Sequence, residues 1–412
     1  QAMTSADREF DIILWGATGF TGQLVAEYLA TSYGSDDTLR WALAGRNEAR
    51  LQAVQQSLMA HTSGIAVPLV VADSDDEQSL RDMVARGAVV CSTVGPYARY
   101  GTPLVACCAE SGTHYCDLSG EVQWMARVIP AYQAAAAASG ARLVHSCGFD
   151  SIPSDMGTWF LQRQMVSRQG VAARHVKSRV GRTRGTASGG TIASMLEVLD
   201  EARRDKQIRK LLADPYSLCP EGTTGPDGRD QAGARYDADF QRWTCPFIMA
   251  AINGRVVRRS HHLLGMPWGE DFRFDEAQLC TSRAQALRNT LGIGGAMLGL
   301  STGPGRKLLQ RFLPAPGEGP DREQREAGHY ELFFHGVHPD DSAHDMRVRV
   351  AGQLDPGYGS TARMLAESAV SLAQDPLTCG GGFWTPSSAL GEHLLERLTS
   401  RAGLTFEEVA ID

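Results

Sequence analysis

The segment Phe10-Asp-Ile-Ile-Leu-Trp-Gly16-Ala-Thr-Gly19-Phe-Thr-Gly22 constrains the fold more than any other stretch of the 412-residue chain. An apolar, β-type run leads into three glycines spaced Gly-x-x-Gly-x-x-Gly, and a helical pattern opens directly behind them. Gly16 permits a tight exit from the strand, Gly19 lets backbone approach a pyrophosphate, and Gly22 lets helix and strand pack closely. The helix start then offers unpaired N–H groups and a positive dipole end to phosphate oxygens. Thr18, Phe20 and Thr21 therefore join the three glycines as expected cofactor contacts. Because the spacing departs from Gly-x-Gly-x-x-Gly, a purely structural glycine turn is the competing reading.

The first 150 residues repeat that strand–helix rhythm. Strands are expected at 10–15, 39–44, 67–71, 89–93, 113–117 and 142–146. Helices are expected at 21–31, 47–59, 75–86, 103–111 and 121–139, the last interrupted at Pro130. Such alternation means βαβ units and a doubly wound parallel sheet with helices on both faces, the α/β Rossmann architecture.

Beyond Ser154 the pattern changes to α+β. Helices are expected at 156–164, 189–204, 361–373 and 388–398, with a strand at 176–183 and antiparallel strands at 329–335 and 344–353 around the turn Pro339-Asp-Asp341. Three units follow from this. Residues 1–153 form a nucleotide-binding domain. Residues 154–353 form a substrate or dimerisation domain containing an antiparallel sheet, a polar insertion at 205–245 and a Gly/Pro-rich connection at 300–321. Residues 354–412 supply C-terminal helices that pack back toward the first domain.

The end of the second strand decides which dinucleotide fits. An acidic side chain there would hold a ribose 2′-hydroxyl, whereas an arginine accommodates a 2′-phosphate. The strand ends in Gly45-Arg46-Asn47, and the acidic pair Asp36-Asp37 precedes it, at the wrong edge of the sheet. Arg46 therefore favours NADP over NAD, with solvation of a helix start as its alternative role. Asp73, just past the third strand, is expected either to border the adenine or to cap a helix.

Ligands in such sheets sit outside the carboxyl ends of the strands. The fourth strand runs into Thr93-Val-Gly95-Pro96-Tyr97-Ala-Arg-Tyr100, where Thr93, Gly95 and Pro96 are expected beside the cofactor, and Tyr97 and Tyr100 over the reacting site. The fifth strand ends in Asp117-Leu-Ser119-Gly-Glu121 and the sixth in Cys147-Gly-Phe-Asp150-Ser151-Ile-Pro-Ser154-Asp155. Hydroxyls and carboxylates from three strand ends thus share one rim. Ser119, Ser154 and Asp155 could equally be helix caps, Asp117 a backbone partner, and Cys147 a buried apolar residue. None of the ten tyrosines has a lysine four residues on, which excludes the usual Tyr-x-x-x-Lys proton donor.

Composition narrows the partners. A net charge of −7 argues against nucleic acid. The nine cysteines include no Cys-x-x-Cys pair, so no metal site is expected, and reduced thiols in the cytoplasm are the economical reading. Residues 1–9 are polar and lack the apolar core of a secretory leader, and no run is long enough to span a bilayer. From Ala277 through Gly317 there is no acidic residue, but Arg283, Arg288, Arg306, Lys307 and Arg311 flank the apolar run 291–300. That 277–317 segment could line an acyl channel, dock an acidic carrier protein, or lie on a membrane surface, giving peripheral membrane contact. An ordinary buried helix with a solvated basic flank is the plain alternative.

Taken in order, Trp-Gly16-Ala-Thr-Gly19-Phe-Thr-Gly22, Ala-Gly-Arg46, Thr93-Val-Gly-Pro-Tyr97 and Cys147-Gly-Phe-Asp-Ser-Ile-Pro-Ser-Asp155 make the chain resemble the saccharopine dehydrogenase-like oxidoreductases. The trans-acting enoyl reductases of mycobacterial-type polyketide lipid synthesis are the branch it is most similar to. The likeness extends to Pro314-Ala-Pro-Gly-Glu-Gly-Pro320, Asp355-Pro-Gly-Tyr-Gly359 and Gly381-Gly-Phe-Trp-Thr-Pro386. The resemblance implies an NADPH-dependent reduction of a carbon–carbon double bond on a carrier-bound or lipid-like acyl chain. Donors near Tyr97 and Tyr100 would stabilise the thioester enolate, and Tyr100, or Asp150 with Ser151, would deliver the proton. Two alternatives stay open. One is a saccharopine-type amino-acid dehydrogenase using Arg179, Arg182 and Arg184; the other is a non-catalytic nucleotide-binding, lipid-associated protein. A homodimer is also left open.

Overall fold

The computed structural model describes residues 7–34, 38–185, 189–315 and 317–412. The first region carries β1 (Phe10–Trp15), β2 (Trp41–Gly45), β3 (Leu69–Val71), β4 (Gly87–Ser92), β5 (His114–Cys116) and β6 (Arg142–Val144). The remainder adds β7 (His175–Arg184), β8 (Arg235–Asp237), β9 (Arg242–Cys245), β10 (Arg273–Leu279), β11 (His329–Val337), β12 (Met346–Gly352), β13 (Gly382–Trp384) and β14 (Leu404–Val409).

One sheet is wholly parallel, in the order β13-β6-β5-β4-β1-β2-β3. Its central strands are continuous apolar runs because helices cover both faces; β2 and β4 are buried at every position. Strand order reverses between β1 and β4, where Ile12 pairs with Trp41 on one side and Val89 on the other. The crevice beyond the carboxyl ends of those two strands is the switch point at which such sheets take ligands.

The other sheet runs β14-β12-β11-β7-β10-β9-β8 and is antiparallel except where β10 meets β7. Along β7, Val176, Ser178 and Val180 face inward, while His175, Lys177 and Arg179 share the outer face. The helices Ile152–Gln169 and Ala250–Leu263 lie against this sheet and against each other.

Three expectations change. The helix Val122–Ser139 runs straight through Pro130, which is exposed, so water can serve the carbonyl its missing N–H leaves unbonded. Residues 205–245 hold β8 and β9 at one edge of the second sheet, and part of 300–321 is the helix Gly303–Leu309. Residues 354–412 are not helical throughout. The Thr361–Gln374 helix does pack on β1, β4 and β5, but β13 completes the parallel sheet and β14 the second one.

Candidate active site

Gly16 leaves β1 at φ +86°, a left-handed conformation that suits glycine. A Cβ there would lie 2.6 Å from Thr93 Oγ1 and 2.7 Å from Val94 Cγ2. Thr93 stitches the two strand ends together, its N–H and hydroxyl donating to the Trp15 carbonyl at 3.0 and 3.1 Å. A Cβ on Gly22 would collide with the Gly16 carbonyl oxygen. Gly19, which is exposed, starts the Phe20–Tyr33 helix with no side-chain cap, so the first-turn amides around Thr21 remain available to an anion. Thr18 accepts a bond from Gln23 through its carbonyl. Phe20 packs edge-on against buried Tyr358, at 4.7 Å between ring centroids.

Arg46 stands exposed at the end of β2 and makes no ion pair among the described residues. The helix behind it is already capped by Asn47, whose Oδ1 accepts from the Arg50 N–H at 3.0 Å, so Arg46 is not needed at that helix start. Asp36 and Asp37 lie outside the described residues. Asp73 is half-buried and turns its carboxylate onto the Asp75 N–H; the cap of the next helix is Asp76 instead. Together the turn, the uncapped helix and the free guanidinium fit a phosphorylated dinucleotide.

The β4 exit differs from expectation at Tyr97. Its side chain does not project over the site; it is buried, with the hydroxyl donating to the Ser92 carbonyl and accepting from the Leu118 N–H at 3.1 Å. Burial raises its pKa well above the usual phenol value, so Tyr97 ties the β4 and β5 exits together and is unsuited to proton delivery. Tyr100, at the end of the same short helix, keeps an exposed ring. Gly95 is exposed and Pro96 half-buried, joined by a cis peptide.

At the β6 exit, Asp150 is half-buried, with Oδ2 3.3 Å from where a Cβ on Gly120 would stand. Its carboxylate has no hydrogen-bond partner among the described residues. Burial, and then the charge of Glu276, push its pKa up to about 7. Ser151 adopts φ +94° and is buried, and its hydroxyl donates to Asn253 Oδ1 at 3.1 Å. Asn253 in turn donates to Glu276, which also accepts from Ser154 and Ser178. Ser151 is therefore committed to a buried network, and Asp150 alone of this pair keeps an unengaged group. Asp155 does not cap its helix, whose N-cap is Ser151; its carboxylate accepts from Ser260 Oγ and the Ser387 N–H. Cys147 is fully buried, and burial raises its thiol pKa.

Glu121 is a site residue that the sequence alone does not single out. Its buried carboxylate accepts from the N–H groups of Tyr97 and Ala98 at 2.8 and 3.1 Å, and from Ser194 Oγ at 3.2 Å. Ser194 lies on the helix Gly189–Arg204, which is also held by Arg99–Glu197 and Arg127–Glu201 pairs. That helix thus lies over the β4 exit. The one available signal was an acid just past a strand end. Asp117, also buried, takes bonds from Tyr115, His145 and the N–H groups of Ser119 and Ser146, and so fixes the β5 exit.

Away from the cleft, Arg179 is held by Asp237 and Asp275 on the outer sheet face, while Arg182 is largely exposed and 4.0 Å from Glu331. His335, Asp239 and Asp345 gather nearby, but Lys177 and Arg347 already supply the opposing charge.

Residues 12–144 match the saccharopine dehydrogenase NADP binding domain. A Mycobacterium tuberculosis protein provisionally named as a trans-acting enoyl reductase is 41% identical over 98% of this chain and 99% of its own. The trans-acting enoyl reductase of Mycobacterium ulcerans is 38% identical, covering 96% and 97% respectively. Among solved structures, apo saccharopine dehydrogenase (L-Glu forming) from Saccharomyces cerevisiae shares the fold at a TM-score of 0.53 and 14% identity, over 97% of this chain and all of that one. With its NADP-binding Rossmann sheet and a mostly antiparallel second sheet, the chain belongs to the saccharopine dehydrogenase-like oxidoreductases, in the family of the trans-acting enoyl reductases.

Proposed function

We propose that the protein uses NADPH to reduce the carbon–carbon double bond of an enoyl thioester, on a fatty or polyketide chain borne by a carrier. The relatives' names support the reaction class. The observation that carries the reading is Asp150: an unengaged carboxyl group at the carboxyl edge of the sheet, with a pKa raised to about 7.

The Gly16–Gly22 turn and the first-turn amides would hold the diphosphate, with Gly95 and Pro96 alongside, and Arg46 would take the 2′-phosphate bidentately. Bound NADPH supplies a hydride to the β-carbon. Tyr100 would donate a hydrogen bond to the thioester oxygen as negative charge develops there, and Asp150 would give its proton to the α-carbon. Reduction consumes one hydride and one proton, so Asp150 must be reprotonated from solvent in each cycle; its half-exposure permits that. The saccharopine-type alternative draws little support from Arg179, which is neutralised by two aspartates.

The test follows NADPH oxidation with enoyl thioesters of increasing chain length, beside keto-acid and amine pairs. Turnover of enoyl thioesters, reduced about a hundredfold or more in Asp150→Asn with NADPH affinity unchanged, is the expected result. Turnover of keto-acid and amine pairs alone would overturn the reading.

A further inference from the structure

The helices Arg283–Ser301 and Gly303–Leu309 fold as a hairpin, with Leu309 packed under Gly299. Its outer surface is unusual for a protein exterior. Leu291, Leu298 and Phe312 are 76%, 69% and 80% exposed, and Leu287 and Leu308 about half exposed. Residues 287, 291, 294 and 298 recur at helical spacing, so the leucines form one stripe, and Gly292, Gly294 and Gly295 beside it have open space around them. Arg283, Arg288, Lys307 and Arg311 are exposed on the same hairpin and make no ion pair among the described residues, Arg283 leaning over the Trp243 ring. The one cation of the hairpin that is neutralised, Arg306, is spent on Asp200 of the Gly189–Arg204 helix.

An apolar stripe with exposed cations on the same hairpin and no acids, on a chain whose net charge is −7, is the pattern of a helix that lies in a bilayer interface and meets anionic headgroups. No helix among the described residues is long and apolar enough to cross a membrane, so the contact is one of surface insertion. We infer that the 283–312 hairpin docks the protein on an anionic lipid bilayer, with the leucine stripe and Phe312 in the acyl boundary and the four cations at the headgroups. An acidic carrier protein would match the cations but gives no reason to expose five large apolar side chains; the bilayer accounts for both. The Arg306–Asp200 pair joins the hairpin to the helix that covers the β4 exit, so docking brings the proposed reducing site next to the lipid phase. Only this last step rests on the enoyl reductase reading; docking itself does not.

The test is sedimentation of the full chain with vesicles of phosphatidylglycerol and phosphatidylcholine, against phosphatidylcholine alone, at low and high salt. Binding to the anionic vesicles, weakened by salt, is expected. Leu291→Ser with Phe312→Ser, and separately Arg288→Glu with Lys307→Glu and Arg311→Glu, should each weaken it about tenfold or more while NADPH affinity and circular dichroism stay unchanged. Wild type left in the supernatant, binding indifferent to lipid charge, or variants that bind like wild type would overturn the inference. So would capture of an acidic carrier protein, lost in the same variants, with vesicles ignored. Vesicle binding without enoyl reduction would sink the catalytic reading alone; reduction without vesicle binding would sink docking alone.

Discussion

At single positions, the demands on this chain are steric before they are chemical. Gly16 combines a left-handed φ with no room for a methyl group between Thr93 and Val94. Gly16→Ala should therefore displace the β4 exit and weaken NADPH binding by roughly tenfold or more, read by fluorescence titration, because left-handed strain and overpacking each cost about 1–2 kcal/mol. Arg46→Ala should lower NADPH affinity by about tenfold and leave NADH affinity unchanged, since only the phosphorylated ribose meets the guanidinium. Asp150 adds a pH signature. Its carboxyl is protonated below about 7 and loses its proton as pH rises through that value, so kcat should fall on the alkaline side and lose that limb in Asp150→Asn. The same shift binds more protons in the folded than in the unfolded chain between about 4 and 7. This group's contribution to stability must accordingly decline as pH rises across that window. The glycines and Arg46 were legible in the sequence because their chemistry depends on place in a strand–helix unit. The inward turn of Tyr97 was not, since a hydroxyl carries no sign of whether its partner is a ligand or the Leu118 amide.

At the scale of elements, the Gly189–Arg204 helix is fastened by Ser194 to buried Glu121, by Gln123 donating to Glu201, and by ion pairs to Arg99, Arg127 and Arg306. Glu121→Ala removes the acceptor of two backbone amides and of Ser194, a loss of roughly 2–4 kcal/mol when the donors stay buried. Amides of the 189–204 helix should then exchange with deuterium faster, and the 97–100 turn should loosen with it. Arg99→Ala, which removes an exposed pair, should change exchange there far less. Strands β1 to β6 were readable from apolar runs, and the β1 bounds are those expected. The Ala250–Leu263 helix was not. Its Arg255, Arg258 and Arg259 look like surface residues, yet all three are buried, with Asp230, Asp227 and the carbonyls of Leu218 and Phe383 as partners. Burial of that kind depends on acids and carbonyls supplied from 25 to 124 positions away, which no local period encodes. β10 hid for the same reason, with Glu276 facing inward among Ser154, Ser178 and Asn253.

Across the whole molecule, the last forty or so residues lace the two sheets together. β13 pairs with β6 at one edge of the parallel sheet, and β14 pairs with β12 along six positions at the edge of the other. Between them Arg397 bonds Asp375 and the buried Glu367, which also receives the hydroxyl of Tyr33 from the first helix. Three-residue β13 sits in a run of glycines with no alternation to betray it, which is why a purely helical tail was the natural sequence reading. The connection has a thermodynamic consequence, because neither sheet keeps its native edge unless this segment is in place. Wild-type protein should thus unfold in one calorimetric transition despite having two sheets. Removing residues 404–412 leaves β12 as an unpaired edge and takes the buried Leu404 side chain out of the core, so the melting temperature should drop by roughly 2–5 °C, taking a loss of about 2–4 kcal/mol. NADPH affinity at low temperature should survive, since the glycine turn and Arg46 belong to the opposite sheet. Two well-separated transitions in the wild type, or a truncation that leaves the melting temperature where it was, would mean the C-terminal segment only rests on the second sheet and does not couple it to the first.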